Sequence, residues 1–160
     1  MKLNHEEAEK LHCPRFNELP SLSLYMDQVV FVIEESFAVF TDETEKVITS
    51  TMINNYVKQK IVAPPEKKKY NKNHIAVLVI VSMLKRVLSI SEISALIAEM
   101  QKEYSLEQFY NLFCERFERL IKDAFAETDE PITISRNMLD CALGAFVGKL
   151  VVQNNLQISE

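Results

Sequence analysis

Two glycines serve all 160 residues, Gly144 and Gly148. Glycine is the residue that turns a backbone tightly and lets it approach a ligand closely. A P-loop, a dinucleotide-binding turn and a G-x-S-x-G nucleophile elbow each need it at fixed places. None of these can be written here. There is also no HExxH, and no histidine is placed to suggest a Ser or Cys triad. The expectation is a protein that is not an enzyme and holds no cofactor. Gly144-x-x-x-Gly148 allows close approach of another helix, and the spacing predicts internal packing rather than a dimer face.

The cysteines are equally restrictive. Cys13, Cys114 and Cys141 are odd in number and far apart, with no CxxC. Neither structural disulfides nor a four-ligand zinc site is expected. Cys114 and Cys141 stand among apolar neighbours in helical patterns and read as small hydrophobes. His5 and His12-Cys13 could offer metal ligands only from the N-terminal arm, where nothing fixes their geometry, so no metal is expected. The apolar fraction of 48% is ordinary for a soluble protein. The longest apolar run, "IAVLVIV" at 75–81, falls well short of the roughly 20 residues a membrane span needs, and no signal segment opens the chain. The sequence is expected to be cytoplasmic.

Apolar periodicity predicts an all-α, mostly helical chain. One helix is expected from Pro20-Ser21 to about Phe40, with Tyr25, Val29, Ile33, Phe37 and Phe40 on one stripe. "TDETEK" follows as an acidic connector. Thr49 or Ser50 can cap a second helix to about Lys60. "APPEKKKYN" reads as a loop or short hairpin, because Pro64-Pro65 removes donors and forces extended geometry. A third helix from about Asn71–Asn73 to Leu88 is apolar almost all round and should lie at the centre of the fold. Ser89 or Ser91 caps a fourth, to about Tyr104, and Ser105 a fifth, through Phe125. "AETDEP" interrupts the pattern, and Ser135 opens the last helix. The organisation expected is an N-terminal arm at 1–20, a helical domain at 21–104, and a C-terminal helical extension at 105–160 packed on it or in a dimer interface.

Charge is unevenly spread. Between Thr49 and His74, six lysines (Lys58, Lys60, Lys67, Lys68, Lys69 and Lys72) face Glu66 alone, so this window carries +5 and the remainder −10. An acidic body with one basic window directs attention to that window as the place where an anionic partner could bind.

The order of parts resembles the DNA-binding domain of MerR-type regulators, a winged helix-turn-helix whose pattern runs T-I-R-Y-Y-E-x-x-G-L-L-x-P, then a basic wing, a helix and "GFSLEEI". Here "MINNYVKQKIVAPP" takes the first part, "EKKKY" the wing and "VLSISEISALI" the last, over about residues 48–97. The resemblance rests on Ile53, Tyr56, Ile61, Val62, Pro64, Pro65, Tyr70, Ser91, Glu92 and Ile93. The family's Arg-Tyr pair falls on Asn54 and Asn55, and its glycine on Lys60. The wing is shortened and has no glycine for a tight turn, so a lysine-studded loop is expected. The whole chain also resembles an uncharacterised bacterial family with a similar "TSTMINNYVK" segment after a "PRFNELPSLSLYMDQV"-like opening, which supplies no function.

The MerR resemblance implies a transcriptional regulator that binds double-stranded DNA as a homodimer. Thr51, Asn54, Asn55 and Lys58 would face the major groove, while Lys60, Lys67, Lys68, Lys69, Tyr70 and Lys72 would contact the backbone. It also allows for a small-molecule effector near the C-terminal helices, though no residue names one. The alternative reading is a protein-interaction module whose winged-helix scaffold has lost DNA binding.

Overall fold

Helix ends in this chain are made by side chains rather than by glycine. A computed structural model describes residues 3–40 and 45–158. The short helix α1 (His5–Glu9) starts at Asn4, whose side chain accepts from the Glu7 amide while the Glu7 carboxylate answers on the Asn4 amide. The same reciprocal box, with different residues, starts α4 (Lys72–Leu84) at Asn71, α5 (Ile90–Met100) at Ser89 and α6 (Leu106–Ala124) at Ser105. Thr49 caps α3 (Ser50–Lys58) through the Met52 amide. Between α1 and α3 lie a 3₁₀ turn (Phe16–Glu18), the strand β1 (Leu24–Tyr25), α2 (Met26–Phe37) and a second 3₁₀ turn (Ala38–Phe40). The strand β2 (Lys69–Tyr70) precedes α4, and α7 (Met138–Ile158) closes the chain.

Several boundaries differ from those the sequence predicts. The helix expected from Pro20-Ser21 begins only at Met26, because Leu24 and Tyr25 are drawn into an antiparallel pair with Tyr70 and Lys69. The central helix stops at Leu84 rather than Leu88, as the chain tightens with the Arg86 amide donating to the Met83 carbonyl and the Val87 amide to the Leu84 carbonyl. The Ser89-capped helix ends at Met100 instead of Tyr104. Asn137, not Ser135, starts the last helix by accepting from the Asp140 amide. Most of the acidic connector, 41–44, lies outside the described residues.

The core forms around α4. Every residue from His74 to Leu84 except Val77 is buried, so this helix has neighbours on nearly all sides. The apolar stripe of α2 supplies Val29, Ile33 and Phe37, and α6 supplies Phe109, Phe113, Phe117 and Ile121. Phe117 lies at the junction, edge-to-face with Phe40 at 4.7 Å and with Phe146 of α7 at 5.4 Å. Each such side chain contributes about 1.5–3 kcal/mol by leaving water. Gly144 does not bring two helices together. Ile134 of the preceding connector fills its notch, with Cδ1 2.6 Å from where a Cβ would stand, and Gly148 faces open space.

Polar clamps tie the N-terminal arm to this core. Arg15 grips the Glu118 carboxylate of α6 with both guanidinium nitrogens at 2.7 Å, and the Cys13 amide donates to the same group at 2.6 Å. Tyr110 donates its hydroxyl to the Pro14 carbonyl at 2.9 Å, and the Leu3 amide donates to Asn154 of α7 at 2.8 Å. A second clamp joins α6 to α7. Buried Asp140 receives Arg116 on both oxygens at 2.8 Å, the Ser135 hydroxyl at 2.6 Å and the Asn137 amide nitrogen at 3.0 Å.

Burial alone would raise the pKa values of Glu118 and Asp140. The donors around them outweigh it and hold both carboxyls below the usual range. A carboxyl depressed in the folded state contributes stability above its unfolded value, and that contribution is lost as pH falls through the folded one. Chemical denaturation should therefore show stability level near neutrality and falling below about pH 4. Glu118→Gln and Asp140→Asn should each lower it by about 1.5–3 kcal/mol at pH 7, and each variant should lose less on acidification than the parent.

Candidate nucleic-acid interface

The helix α3 is built to show one polar side. Ile53 and Tyr56 are buried, while Thr51, Asn54, Asn55 and Lys58 are exposed. It ends because Lys60 adopts φ 61°, folding the chain back so that the Ile61 and Val62 amides both donate to the Tyr56 carbonyl. This is the left-handed position after a helix where glycine is usual. It is also where the MerR pattern has its glycine.

The segment after Pro64-Pro65 is a miniature hairpin, one of the two forms expected of "APPEKKKYN", rather than the lysine-studded loop that the MerR resemblance suggested. Glu66 and Lys69 exchange both backbone hydrogen bonds, at 3.0 and 2.9 Å, around a two-residue turn. Its central residues, Lys67 and Lys68, have φ 49° and 64°. Positive φ at both is the mark of the turn whose twist matches paired strands, and Asn-Gly is its usual sequence. The turn therefore forms without glycine, stabilised from outside. Lys69 and Tyr70 continue the ladder onto β1, so the hairpin is anchored to the start of α2.

Its base is held by a residue that sequence reasoning missed. His74 is buried, with Nδ1 accepting from the Asn71 amide at 3.0 Å and Nε2 3.1 Å from the Pro64 carbonyl. These roles require the neutral ring with its proton on Nε2. One side chain thus fastens both ends of the hairpin. Tyr70 packs edge-on against the same ring at 5.5 Å and is buried. That corrects its expected role, since a side chain 2% exposed supports the hairpin from beneath and cannot reach a phosphate. Sequence gave one signal for His74: it stands three residues after Asn71, the place of the Glu or Gln in a capping box.

The lysines fall into two groups. Lys69 lies over the Tyr25 ring at 5.1 Å, and Lys72 over Phe16 at 5.7 Å with a bond to the Asn17 carbonyl. Lys58, Lys60, Lys67 and Lys68 are exposed. Among the described residues, none of the six forms an ion pair. Lys85 was not predicted, but it joins the face of α3. Its ammonium lies 5.7 Å over the Tyr56 ring, and it lines a cleft of about 300 Å³ with Asn55 and Gln59. Nothing local in the sequence distinguishes it from Arg86, which instead pairs with Glu45 at 2.6 Å.

A domain of unknown function, DUF1836, matches residues 14–113, well over half of the chain. The chain belongs to the DUF1836 family. The matched span runs from the Arg15 clamp through α3, the hairpin and α4 into α6, and leaves α7 outside. No curated protein and no solved structure matches the chain. Among the described residues there is no group of three or more side chains able to hold a metal, and no helix long and apolar enough to cross a membrane.

Three substitutions probe the backbone and packing of this region. Lys60→Gly should stabilise the fold by about 1 kcal/mol, since a left-handed residue with a side chain is strained by roughly 1–2 kcal/mol. Among the described residues the buried Tyr56 hydroxyl has no partner, and burial pushes its pKa up to about 12. Tyr56→Phe should accordingly leave the thermal midpoint unchanged or raise it. His74→Ala should speed amide exchange at Asn71 while sparing the amides of α6, as followed by hydrogen exchange.

Proposed function

We propose that this DUF1836 protein is a DNA-binding transcriptional regulator of the winged helix-turn-helix kind, acting as a cytoplasmic homodimer. In this reading α3 enters the major groove, with Asn54 and Asn55 toward base edges and Thr51 and Lys58 toward the backbone. Asparagine pairs best with adenine N6 and N7, which favours A·T pairs at the centre of each half-site. The hairpin acts as a reduced wing on the flanking phosphates through Lys67, Lys68 and Lys69, with Lys60, Lys72 and Lys85 alongside.

One observation supports this above the others. Among the described residues, all three with positive φ, Lys60, Lys67 and Lys68, are lysines. Each carries steric strain of roughly 1–2 kcal/mol that glycine would remove. Strain retained at exposed positions, with unpaired positive charge at each, is the pattern expected where the charge itself is needed. Phosphate contacts are the chemistry that such charges serve.

The rival reading, an interaction module for an acidic protein, takes support from Asn54 and Asn55 standing where an arginine fork would grip guanine or phosphate. Both readings use the same lysines, so the test must offer DNA directly. With three or four phosphate contacts per protomer, anisotropy titrations on genomic fragments should give a log–log salt slope of roughly −5 to −7. Lys67→Gly/Lys68→Gly relieves strain while removing charge. The double variant should be at least as stable as the parent, yet bind more weakly with a slope shallower by about 3–4 in a dimer. Unchanged DNA affinity in this variant would sink the proposal, and capture of one stoichiometric acidic protein with no DNA retention at low salt would establish the rival.

A further inference from the structure

One face of α7 stays uncovered. Met138, Cys141, Ala145, Gly148 and Val152 are exposed, Met138 at 52% and Val152 at 58%. Leu139, Leu143, Phe146 and Leu150 on the same helix are buried. The exposed set recurs at spacings of three and four, the repeat of a coiled-coil seam rather than the polar side of a surface helix. Gly148 sharpens the point. It has nothing within 4 Å of a Cβ position, so the chain's own packing gives no reason for a residue that weakens a helix by about 1 kcal/mol relative to alanine. A close-packed helix from outside would supply that reason.

Met138, Cys141 and Ala145 of this stripe, with Ala142 beside them, form one wall of a cleft of about 650 Å³. The facing wall comes from α5 and the residue before its cap, with Leu88, Ala95 and Leu96 apolar and Glu92 and Glu99 as the ionisable residues. No cation lines the cleft. Glu99 is bridged to Lys102 and Glu92 caps the Ser89 amide, both at the exposed surface, where such pairs contribute little and leave the carboxylates able to take a further partner.

We propose that α7 is a homodimer seam, with its Met138–Val152 stripe packed antiparallel on the same stripe of a second copy about a two-fold axis near Ala145. The stripe is close to symmetric in size, bulky at both ends and small at Cys141, Ala145 and Gly148. Antiparallel pairing sets Met138 against Val152 of the second copy and small residues against small ones, so the two backbones can approach. It also carries Lys149 of the second copy to the level of Cys141, beside Glu92 and Glu99. Parallel pairing would instead set Lys149 against its own counterpart. A two-fold interface repeats one patch on both subunits, as this stripe allows. The seam would supply the symmetry that the DNA reading requires, but it rests on the helix alone and is measured without DNA.

Sedimentation equilibrium of the full chain without DNA should show a dimer at tens of micromolar. Ala145→Glu and Val152→Glu should be monomeric at that concentration with unchanged circular dichroism and melting, since both positions are exposed. Lys149→Glu should weaken the dimer and Glu99→Lys should restore it in that background. In a Cys141→Ser background, Ala145→Cys should link two chains on mild diamide oxidation. Native Cys141 should not, because the two copies would lie about 12 Å apart along the seam. A monomeric parent, a dimer that survives Ala145→Glu, or ready linkage through Cys141 overturns the proposal. A dimer that retains no DNA would overturn only the DNA reading, and a monomer that binds DNA only the seam.

Discussion

The burial of α4 on nearly every side is the constraint on which the fold depends. A helix without a polar face cannot lie at a surface, so every other long element has to contribute an apolar stripe to cover it. The stripes of α2 and α6 do so, and α7 closes over α6 through Phe117 and Phe146. Both flanks of α4 are thereby fixed in space. The hairpin is tied to its first turn through Asn71 and His74, and α5 follows its last turn after Lys85–Leu88. The exposed basic elements are attached to the most completely buried helix described.

Polar contacts then decide how the periphery is held. The Arg15–Glu118 and Arg116–Asp140 clamps each join segments distant in sequence, and in each a largely buried carboxylate is fully served by donors. Removing one member of such a group leaves the other desolvated and unpaired, which is why these pairs specify an arrangement even where their net contribution is modest. The lysines of the 49–74 window show the opposite treatment. They are exposed or laid over rings, and no carboxylate neutralises them. The molecule answers its buried charges and leaves this set open.

Much of the secondary structure was legible because its signals are local. Asn71, Ser89 and Ser105 mark their helices through bonds that reach only three residues, and the apolar stripes of α2, α3 and α6 follow from spacing alone. The exposed side of α3 was legible for the same reason, with Thr51, Asn54, Asn55 and Lys58 opposite Ile53 and Tyr56. The hairpin was legible only as one of two options for "APPEKKKYN". Its turn lacks the glycine that usually announces one, and it forms because β1, Tyr70 and His74 hold it from beneath. Tyr70 was expected to contact the backbone through the MerR resemblance, yet alternation along a strand turns it inward while Lys69 faces out.

The sequence by itself determined a helical chain, a buried central helix and a single basic window in an acidic body, since composition and short-range periodicity are properties of the chain. Only the tertiary structure decided that residues 24–25 would pair with 69–70, that three lysines would adopt left-handed backbone, that Lys85 would lie beside α3, and that one stripe of α7 would remain uncovered. Those outcomes depend on contacts between residues tens of positions apart. The free energy that forces a lysine into a glycine's conformation comes from such distant partners, and no local window of sequence contains it.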